Sequence, residues 1–130
     1  MSANRTDVPG LDSTELKELK EKLITACHIL DHEGVTDGYG HISARVPGAD
    51  AFITISNVRP GCVTEDRLIM QDLAGKYLGG AETPPNEWPI HACILRARPD
   101  VESIAHTHSK WSTIFSVLPA KLKPMHHYGK

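Results

Sequence analysis

The first regular pattern in the chain is an apolar stripe at helical spacing between residues 16 and 30. Its members are Leu16, Leu19, Leu23, Cys27 and Leu30. Apolar residues that recur every three or four positions share one face of an α-helix, so this segment predicts a helix with one buried side. Asp12, with Glu15 three residues later, matches a capping box at its start, and Gly34 can take the left-handed conformation that ends many helices. Residues 1–12 are then expected to form a flexible arm.

A second pattern follows, in which short segments have the composition and alternation of β-strands. The segments are HISARV (41–46), AFITISNV (51–58) and RLIMQD (67–72). In the first of them Ile42, Ala44 and Val46 should share one face. Turn sequences separate the three segments, which predicts an antiparallel meander. The glycines of the preceding loop, GVTDGYG, predict backbone angles that glycine adopts most easily, or a close approach to a ligand.

Helical spacing returns after residue 85 and is then interrupted by one more strand. Asn86 is a candidate N-cap for a helix whose apolar side comprises Ile90, Cys93, Ile94 and Ala97. VESIAHTHS (101–109) has the pattern of a strand, and Ser109 can cap a last helix, KWSTIFSVL, that Pro119 ends. This order of elements predicts an α/β fold with a mainly antiparallel central sheet flanked by helices.

Composition narrows the classes of function. At 130 residues the chain is one domain in size, expected to span residues 13–130. A formal charge of −2 and the lack of a basic stripe argue against a nucleic-acid partner. No apolar run reaches the roughly 18 residues of a membrane span, and the N-terminal sequence does not resemble a secretory signal. The three cysteines lie far apart, which favours free thiols in a reducing cytoplasm.

Histidine is unusually frequent, and two histidines stand one residue apart near the end of the predicted strand. The chain has eight histidines, against seven aromatic residues of the other three kinds. Residues i and i+2 of a strand face the same way, so the imidazoles of His106 and His108 can converge on one cation. Two readings stay open at this point: a metal half-site, or polar residues at an exposed strand end.

Glu87 is the candidate for proton transfer. It follows two prolines at the expected start of the second helix, where the helix dipole favours an ionised carboxylate. A carboxylate near a metal can bind the ion or carry protons beside it. An acidic residue in the first turn of a helix is also common without any such role.

Four segments together resemble the class II aldolase/adducin family. They are GHISARV (40–46), MQDLAGK (70–76), PNEWPIH (85–91) and RPDVESIAHTHS (98–109). The resemblance implies a three-layer α/β/α domain and a divalent-metal-dependent lyase that cleaves a carbon–carbon bond next to a carbonyl or carboxylate. It also implies that His106 and His108 bind the metal, zinc or alternatively manganese, and that Glu87 moves the proton. The implied partners are a small carbonyl or carboxylate substrate and further copies of the chain, as a tetramer.

Departures from the sugar-phosphate aldolases suggest which branch of the family is nearer. His41 stands where those enzymes typically have asparagine, and Pro85–Asn86 replaces a pair of serines that helps to hold phosphate. Proline offers neither a hydroxyl nor an N–H. The resemblance is therefore closer to enzymes for unphosphorylated, often carboxylated substrates, including decarboxylases. His41, Ser43 and Arg45 are the residues expected to contact or support the substrate, whereas His91 is interpreted as structural.

The third metal ligand is the unsolved part of this prediction. In relatives it lies well beyond the HxH strand, and the chain is expected to lack that C-terminal part of the domain. His126 and His127 are the local substitutes that the sequence offers. The alternatives to a lyase are a non-catalytic, adducin-like assembly module and an inactive fragment of a longer enzyme.

Overall fold

A computed structural model describes residues 13–81, 83–121 and 123. Within these residues the chain forms one helix, four strands, and then a helix, a strand and a helix, with two short 3-10 turns at Pro60–Cys62 and Glu65–Arg67. The elements are α1 Ser13–His32, β1 Gly40–Arg45, β2 Ala51–Ile55, β3 Leu68–Asp72, β4 Tyr77–Gly80, α2 Trp88–Ala97, β5 Ser103–Thr107 and α3 Lys110–Val117. The predicted arm, residues 1–12, lies outside the described residues, as do His126 and His127.

The five strands form one antiparallel sheet in the order β4-β3-β2-β1-β5. The first four strands are a meander, as the alternating segments predict. After α2 the chain returns to the other edge and pairs β5 with β1, so two segments 60 residues apart in sequence become neighbours. This confirms the predicted α/β class with an antiparallel sheet.

Helices cover both faces of the sheet, which gives the three layers that the family resemblance implies. On one face α1 buries Leu23 and Cys27 against Ile42, Ala44 and the odd-numbered residues of β2. On the other face Ala92 and Leu95 of α2 pack on Phe52. Since alternate strand residues point to opposite faces, His41, Ser43 and Arg45 of β1 all lie on the α2 side.

The turns and helix ends follow the glycine pattern. Gly34, Gly38 and Gly40 all have positive φ angles, of 65°, 106° and 118°, which confirms the prediction for this loop. Gly40 has a second constraint, because a Cβ there would lie 2.9 Å from the carbonyl oxygen of His106. The start of β1 therefore approaches β5 at a distance that suits only glycine.

The last helix differs from the other two in its exposure. Within α3, Trp111 is 76% exposed and Val117 is 77% exposed, and none of its residues is buried. Ser109 occupies the N-cap position, but its hydroxyl donates to the Ser112 hydroxyl at 2.9 Å and not to the backbone. Among the described residues no helix is long and apolar enough to cross a membrane.

Candidate active site

The pairing of β1 with β5 brings two histidines from distant segments together. His41 stands opposite His106 in the register of the two strands. Their rings stack with centroids 4.9 Å apart and an angle of 22° between the planes. The end of the sheet under α2 therefore has an imidazole cluster, which neither segment contains alone.

His106 and His108 direct the same ring nitrogen toward one point. Their Nε2 atoms lie 3.0 Å apart, close to the roughly 3.4 Å expected for two nitrogens bound to one tetrahedral zinc. His106 is inside β5, and His108 follows its last residue, Thr107. The Tyr39 ring stacks on the His108 ring, and their centroids are 6.1 Å apart. The 3.0 Å separation of the two Nε2 atoms is that of a hydrogen bond between the His106 and His108 rings, and it is also near the spacing of two ligands of one cation.

Glu87 lies at the start of α2 and reaches this cluster through His41. The helix begins at Trp88 and its N-cap is Glu87, so the expected cap at Asn86 and the placement of Glu87 in the first turn are corrected by one position. The His41 Nε2 and Glu87 Oε2 atoms are 3.3 Å apart. This hydrogen bond, more than any other interaction, lowers the pKa of the Glu87 carboxyl. Its side chain is 50% exposed, so it is ionised and accessible.

Two fully buried residues extend the contacts of His41 into the protein. The His41 Nδ1 lies 2.5 Å from His91 Nε2, and the Ser43 hydroxyl lies 2.7 Å from His91 Nδ1. Ser43 and His91 are both 0% exposed, and the His91 ring stacks on Phe52. Ser43 thus has no direct access to a substrate, and the expectation of a substrate contact is corrected to a contact with His91.

Arg45 does not belong to the cluster. Its guanidinium donates to the carbonyl oxygens of Leu95 at 2.6 Å, Val101 at 3.0 Å and Arg98 at 3.2 Å. These carbonyls lie at the C-terminal end of α2 and beyond it, about 15 Å along the helix from Glu87 at 1.5 Å per residue. The structure thus places Arg45 away from the cluster, with its donors used to end the helix, and its support of a substrate stays a prediction.

A small cleft of about 110 Å³ opens beside the cluster. Its walls include the rings of His41 and His108, the Glu87 side chain, and two chain segments, 38–40 and 56–59. Pro85 is also part of the wall, at one of the two positions where serine is expected in sugar-phosphate aldolases. The cleft gives a small molecule access to the Glu87 carboxylate and to the His108 ring at once.

The donor set fits a divalent metal only in part. Imidazole nitrogens suit zinc and several other first-row ions, and the spacing of His106 and His108 suits a shared ion. Across residues 13–81, 83–121 and 123, however, no group of three or more candidate ligands converges. The described part of the chain therefore shows fewer than the three protein ligands that a catalytic zinc commonly has.

The sheet order, the HxH strand end and the carboxylate beside it together define a class of α/β domains. Residues 21–130 match the Class II Aldolase and Adducin N-terminal domain, and the chain belongs to this family. The match covers most of the chain and confirms the resemblance carried by its four segments.

Relatives with different activities are similar to the chain. A 5-methylthioribulose-1-phosphate/5-deoxyribulose-1-phosphate aldolase from Escherichia coli O45:K1 is 32% identical, over 85% of this chain and 51% of the relative. A 3,4-dihydroxyphthalate decarboxylase from Arthrobacter keyseri is 35% identical, over 68% and 40%. The solved L-fuculose 1-phosphate aldolase from Glaciozyma antarctica PI12 is 28% identical, with a TM-score of 0.76 over 95% of this chain and 54% of that one.

These similarities have two consequences. The chain spans about half the length of the curated relatives that it matches. Both a sugar-phosphate aldolase and an aromatic-acid decarboxylase are among them at similar identity, so the nearer branch stays a prediction.

One functional feature of the site is not evident from local sequence, namely the line of contacts through His91. The available signals were the spacing of His91, four residues after Glu87, and the alternation of polar residues at positions 41, 43 and 45. Helical spacing puts Glu87 and His91 on one side of α2, and alternation puts His41 and Ser43 on one face of β1. Which face of β1 meets which side of α2 depends on the tertiary fold.

Proposed function

We propose that the chain is the metal- and substrate-binding part of a lyase that cleaves a bond next to a carbonyl or carboxylate group. The observation that supports this most directly is the position of Glu87. Its carboxylate contacts His41, whose ring stacks on His106, and His106 in turn meets His108. A proton-accepting group and one proposed metal ligand, His108, thus border one cleft, and the other proposed ligand, His106, contacts both His41 and His108.

His106 and His108 would hold the divalent cation, zinc or alternatively manganese, through their Nε2 atoms. When bound, such an ion supplies a Lewis acid that polarises a substrate oxygen and stabilises the negative charge of an enolate. Its remaining coordination positions are left to substrate, water and groups outside the described residues.

Glu87 would accept or return the proton. Its carboxyl pKa lies below the ordinary value because His41 donates a hydrogen bond to the charged form. At neutral pH it is therefore a carboxylate, and its side chain, which is 50% exposed, is part of the cleft wall. A positioned general base of this kind contributes about 10²–10⁴-fold to a reaction rate.

The cleft favours a small carboxylated substrate over a phosphorylated sugar. Pro85 has no side-chain donor for a phosphate oxygen. The nearest cationic side chain in the wall, that of Arg59, is already paired with Asp31 at 2.9 Å. A carboxylate bound to the cation needs neither of them.

Metal analysis combined with two substrates tests this proposal. After incubation with zinc and gel filtration, the wild-type protein should retain about one ion per chain, and His106→Ala or His108→Ala should retain none. Glu87→Gln should keep the metal and lose at least 10²-fold in release of product, measured with 3,4-dihydroxyphthalate and with L-fuculose 1-phosphate. His32→Ala is the matched control, because His32 is an exposed histidine at the far end of α1.

Two results would contradict the proposal. One is a folded wild-type protein that retains no zinc or manganese. The other is zinc retention that survives His106→Ala, because the ion would then be bound elsewhere. Product from 3,4-dihydroxyphthalate alone would support the decarboxylase-like branch, and product from the sugar phosphate alone would refute it.

A non-catalytic assembly module is the second candidate, and the exposure of α3 favours it. The helix carries exposed apolar side chains that a partner would cover, namely Trp111, Ile114, Phe115 and Val117. We propose self-association, which both candidates predict, so the oligomeric state alone does not separate them. An oligomer in sedimentation whose assembly is unchanged by chelators and by His106→Ala, and which binds no metal, would favour the module.

A further inference from the structure

An unbroken line of hydrogen bonds joins a buried hydroxyl to the exposed carboxylate of the site. It runs from Ser43 Oγ to His91 Nδ1 at 2.7 Å, from His91 Nε2 to His41 Nδ1 at 2.5 Å, and from His41 Nε2 to Glu87 Oε2 at 3.3 Å. Each histidine uses both of its ring nitrogens. The line therefore crosses from the middle of β1 through α2 and back to the cleft.

The chemistry of the two ends determines the direction of every hydrogen bond in this line. An ionised carboxylate only accepts, so His41 must present an Nε2–H to Glu87. A neutral imidazole has a single N–H, which makes the His41 Nδ1 an acceptor. His91 must then donate its Nε2–H to His41, and its own Nδ1 must accept the hydroxyl proton of Ser43.

Burial makes this direction the consistent one. Ser43 and His91 are 0% exposed and His41 is 5% exposed, so water cannot supply a missing donor. Desolvation lowers the pKa of His91 to about 4, which leaves this ring neutral near pH 7 with a single N–H to donate. Any ring in the other tautomer would bring two lone pairs together and leave a buried polar group unsatisfied.

We propose that Ser43 and His91 are positioning residues that set the tautomer of His41, so that His41 offers Glu87 an N–H and never a lone pair. The consequence reaches the cation site, because a protonated Nε2 has no electron pair for a metal. His41 thus stays out of the ligand set although its ring stacks on His106. Its N–H holds one carboxylate oxygen of Glu87 and leaves the other oxygen for the substrate proton.

Only this last consequence rests on the proposed function, since the tautomers exist without metal or substrate. The test is therefore made on metal-free protein with ¹⁵N-labelled histidine at pH 7.5, in two-bond ¹H–¹⁵N correlation spectra. The wild type should show His41 and His91 both protonated at Nε2, with assignments from His41→Gln and His91→Gln. A wild-type His41 protonated at Nδ1 would overturn the proposal, whether or not the protein binds zinc.

Variants of Ser43 test the cause. Ser43→Ala removes the donor to His91 Nδ1, so that nitrogen should shift downfield and a second tautomer of His41 should appear. Ser43→Thr keeps a hydroxyl and should restore the wild-type pattern. Thr54→Val is the matched control, because Thr54 faces Ser43 across the β1–β2 pair and its buried hydroxyl donates to the Ile42 carbonyl, outside the line.

Thr54→Val should leave the shifts of both histidines unchanged. A folded Ser43→Ala protein with wild-type His41 and His91 spectra would refute the role of Ser43. Zinc retention, measured separately, should survive in Ser43→Thr and be lost only when His106 or His108 is replaced. Failure of the metal proposal and failure of the tautomer proposal are thus distinguished.

Discussion

The face of the sheet under α1 and the face under α2 are built from alternate residues of the same strands, yet their buried side chains differ in kind. Under α1 the buried set is wholly apolar: Leu23, Cys27, Ile42, Ala44, Val46, Ala51, Ile53, Ile55, Val63, Leu68 and Met70. Under α2 the buried apolar cluster is Phe52, Ala92 and Leu95, and Ile69, the register partner of Thr54, is buried on the same face. The remaining buried positions there include His41, Ser43, Thr54 and His91.

The difference assigns separate tasks to the two faces. Burial of apolar side chains contributes about 25 cal/mol per Å², so the α1 face supplies most of the hydrophobic stabilisation. The α2 face buries polar groups, which costs free energy unless they bond to one another. The histidines and Ser43 meet this condition through their mutual hydrogen bonds. A group of buried polar side chains that satisfy one another is suited to hold a site in place.

The largest expected effect is a loss of stability when an apolar side chain of the α1 face is shortened. Ile53 is 1% exposed in the central strand, and Ile53→Ala should lower the free energy of unfolding by about 2–5 kcal/mol. Urea denaturation measures the loss. Zinc retention per folded chain should stay at the wild-type level.

Ile53→Val is the matched control, with an expected loss of about 0.5–1.5 kcal/mol. Loss of zinc by the folded Ile53→Ala protein would show that the two faces are not separable in this way.

The contribution of the α2 face to stability should depend on pH more than on the volume of its side chains. The pKa of His91 falls from the ordinary 6.5 to about 4 because burial disfavours its charged form. Below pH 6.5 the unfolded chain binds this proton and the folded chain does not, so stability is complete above that value and decreases as the pH falls toward 4. The loss is on the order of 3 kcal/mol at most.

Urea denaturation at pH 8, 7, 6 and 5 follows this loss, with His91→Gln as the comparison, since glutamine does not titrate. The variant should show a smaller decrease between pH 6.5 and 4. Equal pH dependence in both proteins would mean that His91 is protonated in the folded state or is not buried.

The contrast between the faces also explains what sequence could predict. The α1 face follows from periodicity alone, because Leu16 to Leu30 and the alternation of Ile42, Ala44 and Val46 give one apolar surface each. The pairing of His106 with His108 follows from their spacing in one strand. The contact between His41 and Glu87 does not, because it depends on β5 returning to the edge beside β1 and on the position at which α2 crosses the sheet.

Arg45 is a second case in which the sequence pattern does not give the contact. Its replacement should lower the free energy of unfolding by less than the two changes above. Arg45 shares a face with His41, and alternation cannot tell which end of α2 lies over it. Arg45→Met removes the donors to three carbonyls at the end of α2 and should cost about 1–3 kcal/mol in urea denaturation. Zinc retention and any turnover should be unchanged.

Arg45→Lys is the informative control, because an ammonium group cannot match the fork of a guanidinium. It should recover only part of the lost stability. A reduced turnover by folded Arg45→Met protein at wild-type stability would restore Arg45 to the candidate site.

The smallest perturbation is chemical labelling of the cysteine thiols, whose rates report on packing in the wild-type protein. Cys27 is fully buried under the sheet, and desolvation raises its pKa to about 12, whereas Cys62 and Cys93 are exposed. Because the thiolate is the reactive form, Ellman's reagent at pH 8 should label Cys62 and Cys93 promptly and Cys27 only as the protein unfolds. The slow thiol should be absent from Cys27→Ser, which identifies it as Cys27. In the wild-type protein, the rate at which Cys27 is labelled in urea measures how often α1 separates from the sheet. Three thiols that react at one fast rate in the native protein would mean that α1 does not stay packed on the sheet, and the apolar face would then lack the stability that the comparison assigns to it.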